Sequence, residues 1–370
     1  MRVIRGLHNL RDEHRGCVAT IGNFDGVHRG HQAILEQCRE QAAALHLPVT
    51  VVVFEPQPRE FFAGDQAPPR LTRLREKVRL LGEAGVDRIL CLPFNEALRS
   101  LTALEFIERV LIDGLGVRHL VVGDDFRFGC DRRGDFHLLT EVGERRGFEV
   151  EHTRTFTLDD ERVSSTRVRT MLASGNFAAA SRLLGRPYRL DGRVVPDQQL
   201  GRTIGVPTAN LPLPSLPLPL QGVYAVVTEL PDGRRLPAVA NMGWRPTLGS
   251  KRPVLEVHLF DFDGDLYGER LVVFPCAKLR GEVKFDDFEA LKAQIRADQA
   301  RARRFFSQQP AHAALQQSGP AAAHQSGHVA VQQPAPAAAH DSLPLASAPL
   351  AREAVTFYSS AGKPADHDDG

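Results

Sequence analysis

The sequence is short of several things, and each shortage narrows the reading. Its 370 residues hold five cysteines, Cys17, Cys38, Cys91, Cys130 and Cys276, scattered and without CxxC spacing. That excludes a disulfide framework and a zinc site of the CxxC kind, and it suits a reducing compartment. Charge of one sign is lacking too, since 46 Lys and Arg balance 45 Asp and Glu. No global field draws the chain to nucleic acid or to a membrane surface, and neither a basic stripe nor an aromatic platform is present. No apolar run is long enough for a membrane span. Arg2, Arg5, His8 and Arg11 come early, but no apolar signal-peptide segment follows them. The expectation is a cytoplasmic protein, a monomer or weak homo-oligomer, that binds neither nucleic acid nor membrane.

What is present falls into three parts. At about 150 residues per domain the length suggests two domains. From Gly16 to about Gly185, apolar runs alternate with helical patterns. Cys17–Ile21 and Val49–Phe54 read as buried strands. His31–Leu45 reads as a helix with Ile34, Leu35, Cys38 and Ala42 on one face. Further helices are expected near Leu74–Leu81, Leu104–Ile112, Phe136–Arg146 and Ser165–Leu172. Strands are expected at Arg88–Leu92, His119–Val122 and Phe148–His152. Such alternation predicts a doubly wound parallel sheet over residues 1–184, with ligands beyond the carboxyl ends of its strands. Residues 185–306 read differently. Val223–Glu229, Leu236–Asn241, Val254–Phe260 and Arg270–Phe274 are strands punctuated by Pro231-Asp232-Gly233 and Asp263-Gly264-Asp265. That pattern predicts a small antiparallel β-barrel with a carboxyl-terminal helix at Asp286–Ala300. The segment 307–370 is rich in Ala, Gln, His, Pro and Ser and reads as a disordered tail. Its five histidines are irregularly spaced, which favours a spacer over a metal tract.

Two segments carry chemistry. Gly22-Asn23-Phe24-Asp25-Gly26-Val27-His28-Arg29-Gly30-His31 follows the first buried strand and opens the first long helix. Glycines such as Gly22 and Gly30 let the backbone approach a phosphate, and a helix N-terminus supplies free N–H donors. His28 and His31, three apart around Gly30, can face one polyphosphate. A two-histidine metal site lacks a third ligand, and a plain surface turn would leave the coincidence of glycines, histidines and position unexplained. A basic cluster, Arg162, Arg167 and Arg169, suits a phosphate site as well. In the second part, Gly201-Arg202-Thr203-Ile204-Gly205-Val206-Pro207-Thr208-Ala209-Asn210 offers two glycines for close approach, with Thr208 and Asn210 as oxygen ligands on one side of an extended chain. Magnesium with bound phosphates prefers such ligands. From physics alone an ordinary Gly/Pro turn explains the segment equally well. Leu255, Val257 and Leu259 alternate with Glu256 and His258, so the last two share a strand face. A carboxylate there is either a proton acceptor or a solvated surface group.

These residues resemble a known family. The HxGH signature of His28 and His31 resembles that of the HxGH nucleotidyltransferases, and the longer GNFDGVHRGH resembles the amino-terminal half of the bacterial bifunctional riboflavin kinases/FAD synthetases. Val163-Ser164-Ser165-Thr166-Arg167-Val168-Arg169 is similar to that family's ISSTxxR element, Gly123–Gly129 to its GxDFxFG element, and Phe54-Glu55-Pro56-Gln57-Pro58 to its FEPHP element. Pro207-Thr208-Ala209-Asn210 resembles the PTAN signature of riboflavin kinase, and Gly222–Ala225, Asn241–Thr247, Glu256–Leu259 and Arg280–Phe285 follow in family order. The resemblance covers Gly16 to Phe306.

It implies a Rossmann-like α/β nucleotidyltransferase domain, then a riboflavin kinase barrel. It implies ATP, riboflavin and FMN as small-molecule partners and Mg²⁺ as the metal, bound at Thr208 and Asn210. His28, His31 and Arg169 would stabilise adenylyl transfer from ATP to FMN. Gly22, Phe24, Asp25, Gly30, Asp125, Ser164 and Thr166 would contact the nucleotide there. Gly201, Gly205, Thr208 and Asn210 would do so in the kinase, with Glu256 as its base. Phe54, Pro56, Phe126 and Phe128 would wall the flavin, although core packing suits Phe126 and Phe128 as well. Departures are Val163 for Ile, Gln57 for His, Pro196-Asp197 where His-Gly is common, Val206 for Phe, and a proline-rich 211–220. Adenylylation of another substrate, as in other HxGH proteins, and a flavin-binding regulator are the alternatives. The PTAN barrel counts against the first, and the full set of site side chains counts against the second.

Overall fold

In a computed structural model the described residues are 1–123, 125–130, 132–196, 205–213, 218–247, 250–285 and 287–309, with main chain only for 244–247 and 250–252. Gly201, expected at the second nucleotide site, and the expected tail from residue 310 onward lie outside the described residues.

A six-stranded sheet organises the first part. Its strands are β1 (Arg2–Arg5), β2 (Cys17–Ile21), β3 (Val49–Glu55), β4 (Arg88–Pro93), β5 (Val117–Val122) and β6 (Glu149–His152). They lie in the order β1-β4-β3-β2-β5-β6, all parallel. Each central strand reads as a continuous apolar run because both faces are covered. One face packs Val18, Val51, Val53 and Ile89 against Leu35, Cys38 and Ala42 of helix α1 (Arg29–Leu45) and against Leu80 and Leu81 of α3 (Leu74–Glu83). The other packs Cys17, Ala19, Leu90 and Leu120 against Phe106, Ile107, Val110 and Leu139. A short helix α2 (Pro58–Ala63) precedes α3, and α4 (Glu96–Arg99) and α5 (Ala103–Phe106) follow β4. The helix expected over Leu104–Ile112 begins as α5 and runs on as a π-helical segment, Ile107–Ile112.

Helix α6 (Phe136–Arg146) leads to β6; then come a two-stranded ribbon, β7 (Thr157–Leu158) with β8 (Glu161–Arg162), and helices α7 (Ser165–Ala173) and α8 (Phe177–Leu184). The second part is antiparallel, with β9 (Leu190–Arg193), β10 (Ala209–Pro212), β11 (Gly222–Glu229), β12 (Arg235–Thr247), β13 (Ser250–Leu259) and β14 (Arg270–Arg280) in the order β10-β13-β12-β11-β14-β9. A Val195–Asn210 bridge joins the two ends of that order, so the sheet is nearly closed. Its interior includes Leu211, Tyr224, Val226, Leu255, Val257 and Leu259, continuous with Val168, Leu172, Phe177 and Leu184 of α7 and α8. A final helix, Phe288–Gln308, covers an outer patch of Val223, Ala225, Val239 and Phe260 through Ala302. No helix among the described residues is long and apolar enough to cross a membrane.

Candidate active sites

The first site grows from the centre of the parallel sheet. Chain order runs from β2 to β3 on one side, while β5 lies on the other, so a crevice opens at the carboxyl end of β2. The loop from Gly22 to His28 fills that position. Phe24 and Val27 take left-handed φ of 46° and 39°, and both are buried. Backbone strain of this kind persists only where the surroundings fix it. At Gly26, with φ 85°, an added Cβ would lie 2.9 Å from the Leu71 side chain.

His28 caps α1. Its Nδ1 accepts the main-chain N–H of His31 at 3.3 Å, which leaves the ring proton on Nε2. The two imidazoles stack with centroids 3.7 Å apart. Phe24 packs against His31 with centroids 4.8 Å apart. Burial, then the nearby cations Arg186 and Arg169, push the His28 pKa down to about 4. Burial holds His31 well below its ordinary range, with His28 and Lys77 adding to the effect. Both rings are therefore uncharged at neutral pH. His31 Nδ1 is buried and has no hydrogen-bond partner among the described residues.

A cleft of about 430 Å³ opens beside these rings, lined among others by Asn23, Asp25, His28, Gly30, His31, Asp125, Ser164, Ser165, Thr166 and Arg169. It receives a second helix start. Ser164 is the N-cap of α7 and accepts from the Arg167 N–H at 3.2 Å. Two helix N-termini thus converge on one cleft, an arrangement suited to a polyphosphate. Arg169 reaches back to donate to Asp25 Oδ2 at 2.5 Å and to the Pro69 carbonyl at 2.5 Å. Asp25 also accepts from the main-chain N–H groups of Leu71 and Thr72. Arg167 is turned away, bonded to the carbonyls of Leu158 and Glu161 at 3.1 Å.

The expected flavin wall is divided. Phe128 is 8% exposed and packs 5.5 Å from Phe106 within the core, so packing describes it better. Phe126 stacks on Phe128 at 5.2 Å and Phe54 meets Phe94 edge-on at 5.8 Å, both half-buried. Pro56 is exposed. Three residues near this site escaped the sequence reading. Gln57, seen there only as a departure, lines the cleft. Lys77 is fully buried, its amine without a partner among the described residues and its pKa lowered chiefly by burial. A lysine in an amphipathic helix reads as solvent-facing, so sequence held no signal for it. Arg186 donates to the carbonyls of Gly26, Val27 and Leu184 at 2.6, 3.2 and 3.1 Å.

The second site is a row across three strands. Asn210 of β10 pairs with Glu256 of β13, and Glu256 pairs on its other side with Asn241 of β12. Asn241 Nδ2 donates to Glu256 Oε2 at 3.4 Å, a contact absent from the sequence reading. Asn210 is 7% exposed, and its Oδ1 is buried without a hydrogen-bond partner among the described residues. His258, two residues beyond Glu256 on the same face, donates from Nδ1 to the Pro207 carbonyl at 2.8 Å. That bond fixes the chain next to Thr208, which is half-buried. Gly205 takes φ 73°, and a Cβ added there would meet none of the described residues within 4 Å. The predicted alternation holds: Leu255, Val257 and Leu259 are buried, and Glu256 and His258 are half-buried.

Comparisons with known proteins agree with both halves. The FAD synthetase family model matches residues 10–167 and the riboflavin kinase model residues 184–306. The chain is 58% identical over 304 residues to a bifunctional riboflavin kinase/FMN adenylyltransferase of Pseudomonas fluorescens, covering 82% of this chain and 97% of the relative. It is 52% identical over 307 residues to the protein of that name from Escherichia coli (strain K12), covering 83% and 98% of the two chains. Among solved structures, a chain described as a macrolide-efflux protein from Streptococcus pneumoniae superposes with a TM-score of 0.67 at 31% identity, over 81% of this chain and 98% of that one.

Proposed function

The chain belongs to the bifunctional riboflavin kinase/FMN adenylyltransferase family, and from that premise we propose how its residues divide the work. The enzyme phosphorylates riboflavin to FMN with one ATP and adenylylates FMN to FAD with another. We place adenylyl transfer in residues 1–184 and phosphorylation in residues 185–306, with 307–370 as an appended tail.

In the first site an FMN phosphate oxygen attacks the ATP α-phosphorus and pyrophosphate leaves. No side chain is needed as a nucleophile, and catalysis is alignment together with neutralisation of growing charge. The observation that carries this reading is the convergence of the α1 and α7 N-termini on one cleft beside His28 and His31. His28 Nε2–H donates to a phosphate oxygen. Ser164, Thr166 and the backbone near Gly22 and Gly30 hold the triphosphate, with Phe24 supporting the loop and Asp125 facing the nucleotide. Arg169 meets the departing pyrophosphate. Asp25, its oxygens taken by protein donors, acts by holding Arg169 and the loop in place. Phe54, Pro56 and Phe126 border the flavin.

In the second site the riboflavin primary hydroxyl attacks the ATP γ-phosphorus, and Glu256 accepts the hydroxyl proton. The unpartnered Asn210 Oδ1 is a buried acceptor in need of a donor or a cation, which fits Mg²⁺ held with the Thr208 hydroxyl and phosphate oxygens. When bound, the ion supplies positive charge to the transferring phosphoryl group. Gly201 and Gly205 give the nucleotide loop its close approach. Balanced charge and five free cysteines support a cytoplasmic enzyme, a monomer or weak homo-oligomer, with small molecules rather than nucleic acid or membrane as partners.

The test is a time course with riboflavin, ATP and Mg²⁺, resolved by chromatography. FMN followed by FAD is expected. Well-folded protein that forms neither would sink the reading.

A further inference from the structure

The first cleft holds a buried hydrogen-bond donor that neither reaction has yet used. Gln57 is 6% exposed, it lines the cleft, and its side-chain Nε2 is buried without a hydrogen-bond partner among the described residues. An amide N–H left unmatched in the interior costs stability, and native proteins seldom keep one without a reason. In a substrate cleft the natural reason is an acceptor that arrives with the substrate.

The position is braced for such a contact. The Gln57 main-chain N–H donates to Glu60 Oε2 at 2.8 Å. Arg70 Nε donates to Glu60 Oε1 at 2.7 Å, and Arg70 Nη1 donates to both Glu55 oxygens at 3.0 and 3.1 Å. One arginine therefore ties together the carboxylates on either side of Gln57. A contact group fixed in advance by its neighbours loses little freedom when the ligand binds.

Placement decides which oxygen is met. Gln57 directly follows Pro56 and comes three positions after Phe54, the residues proposed above to border the flavin. The same cleft is lined by His28, Ser164, Thr166 and Arg169, to which the triphosphate is assigned above. The part of FMN that lies between its ring system and the ATP α-phosphorus is the phosphate. We propose that Gln57 Nε2 donates a hydrogen bond to a non-attacking oxygen of the FMN phosphate and so holds the nucleophile in line. The amide carries no charge, so it positions the phosphomonoester without neutralising the attacking oxygen. The related FEPHP pattern puts a histidine at this place, a donor whose charge depends on pH; this chain's donor does not titrate.

The inference rests on the adenylyltransferase reading of the first site, and the experiment separates the two. FMN is supplied directly, and FAD formation is measured for Q57L, Q57E and H28A, each full-length, with riboflavin kinase activity and thermal unfolding as checks on folding. Q57L is expected to raise the KM for FMN about tenfold, the loss of one hydrogen bond to a charged group, while the KM for ATP stays nearly constant. Q57E, with like charge facing the phosphate, should raise the KM for FMN further. An unchanged KM for FMN in Q57L, or a rise confined to ATP, overturns the contact. If H28A retains full FAD formation, the site reading itself fails, whatever Gln57 does.

Discussion

Asp25 and Arg169 lie 144 positions apart in sequence and meet at 2.5 Å at the edge of the first cleft. The same carboxylate accepts from Leu71 and Thr72, and the same guanidinium donates to Pro69. Three distant segments are tied at one point. Asp25→Ala would leave a largely buried cation unpaired, which costs about 3 kcal/mol or more. A clear fall in Tm and loss of FAD formation are expected, with riboflavin phosphorylation retained. Asp25→Asn keeps the acceptor but not the charge, so its loss should be smaller and show mainly as a raised KM for ATP. A Tm for the alanine variant equal to that of the parent would refute the tie.

Stability should depend on pH through the buried histidines. His28 has a folded pKa of about 4 against its ordinary 6.5. A depressed histidine binds protons more readily when unfolded, so its stabilisation is complete above pH 6.5 and is lost as pH falls toward 4. The His28 share is about 3 kcal/mol, and His31 acts in the same direction. Urea unfolding at a series of pH values would show the slope. A folded His28→Gln variant should be less steep between pH 6.5 and 4.

The two reactions should separate cleanly by mutation. His28→Ala is expected to abolish FAD formation and to leave FMN formation largely intact. Glu256→Gln should block phosphorylation of riboflavin while FAD still forms from supplied FMN. Loss of both activities in either folded variant would contradict separate sites.

His258 offers a finer test of the kinase half. Its Nδ1–H holds the Pro207 carbonyl at 2.8 Å, next to Thr208. His258→Leu removes the donor and should raise the Mg²⁺ and ATP concentrations needed for half-maximal phosphorylation several-fold. His258→Asn, which keeps a donor near the Nδ1 position, should recover much of that loss. Equal behaviour of the two variants would mean that the hydrogen bond does not position the loop.

Much of this was legible in sequence for a physical reason. Buried parallel strands such as Cys17–Ile21 declare themselves as apolar runs, and the loop that follows carries its glycines and histidines in order. The alternation of Leu255, Val257 and Leu259 placed Glu256 on the open face of its strand. Short or irregular pieces were harder. Strands β9 and β10 span four residues each and gain their pairing only from β14 and β13, distant in sequence. The break of α5 into a π-helical segment leaves no mark on apolar periodicity. Lys77 owes its burial, and Arg186 its carbonyl partners, to tertiary neighbours that no local pattern announces. Asn241 joined the site only when strand register set it across from Glu256.

The Arg186 contacts bear on whether the chain can be divided. Gln32 Nε2 and Arg186 Nη1 both donate to the carbonyls of Val27 and Leu184. The place where a gene would most simply be cut in two, just after α8, is thus sewn to the loop that carries His28. A split there would deprive the first enzyme of an arginine encoded with the second. A successful fission at that point would need a substitute for Arg186 on the amino-terminal fragment, to keep the carbonyls of Gly26 and Val27 partnered.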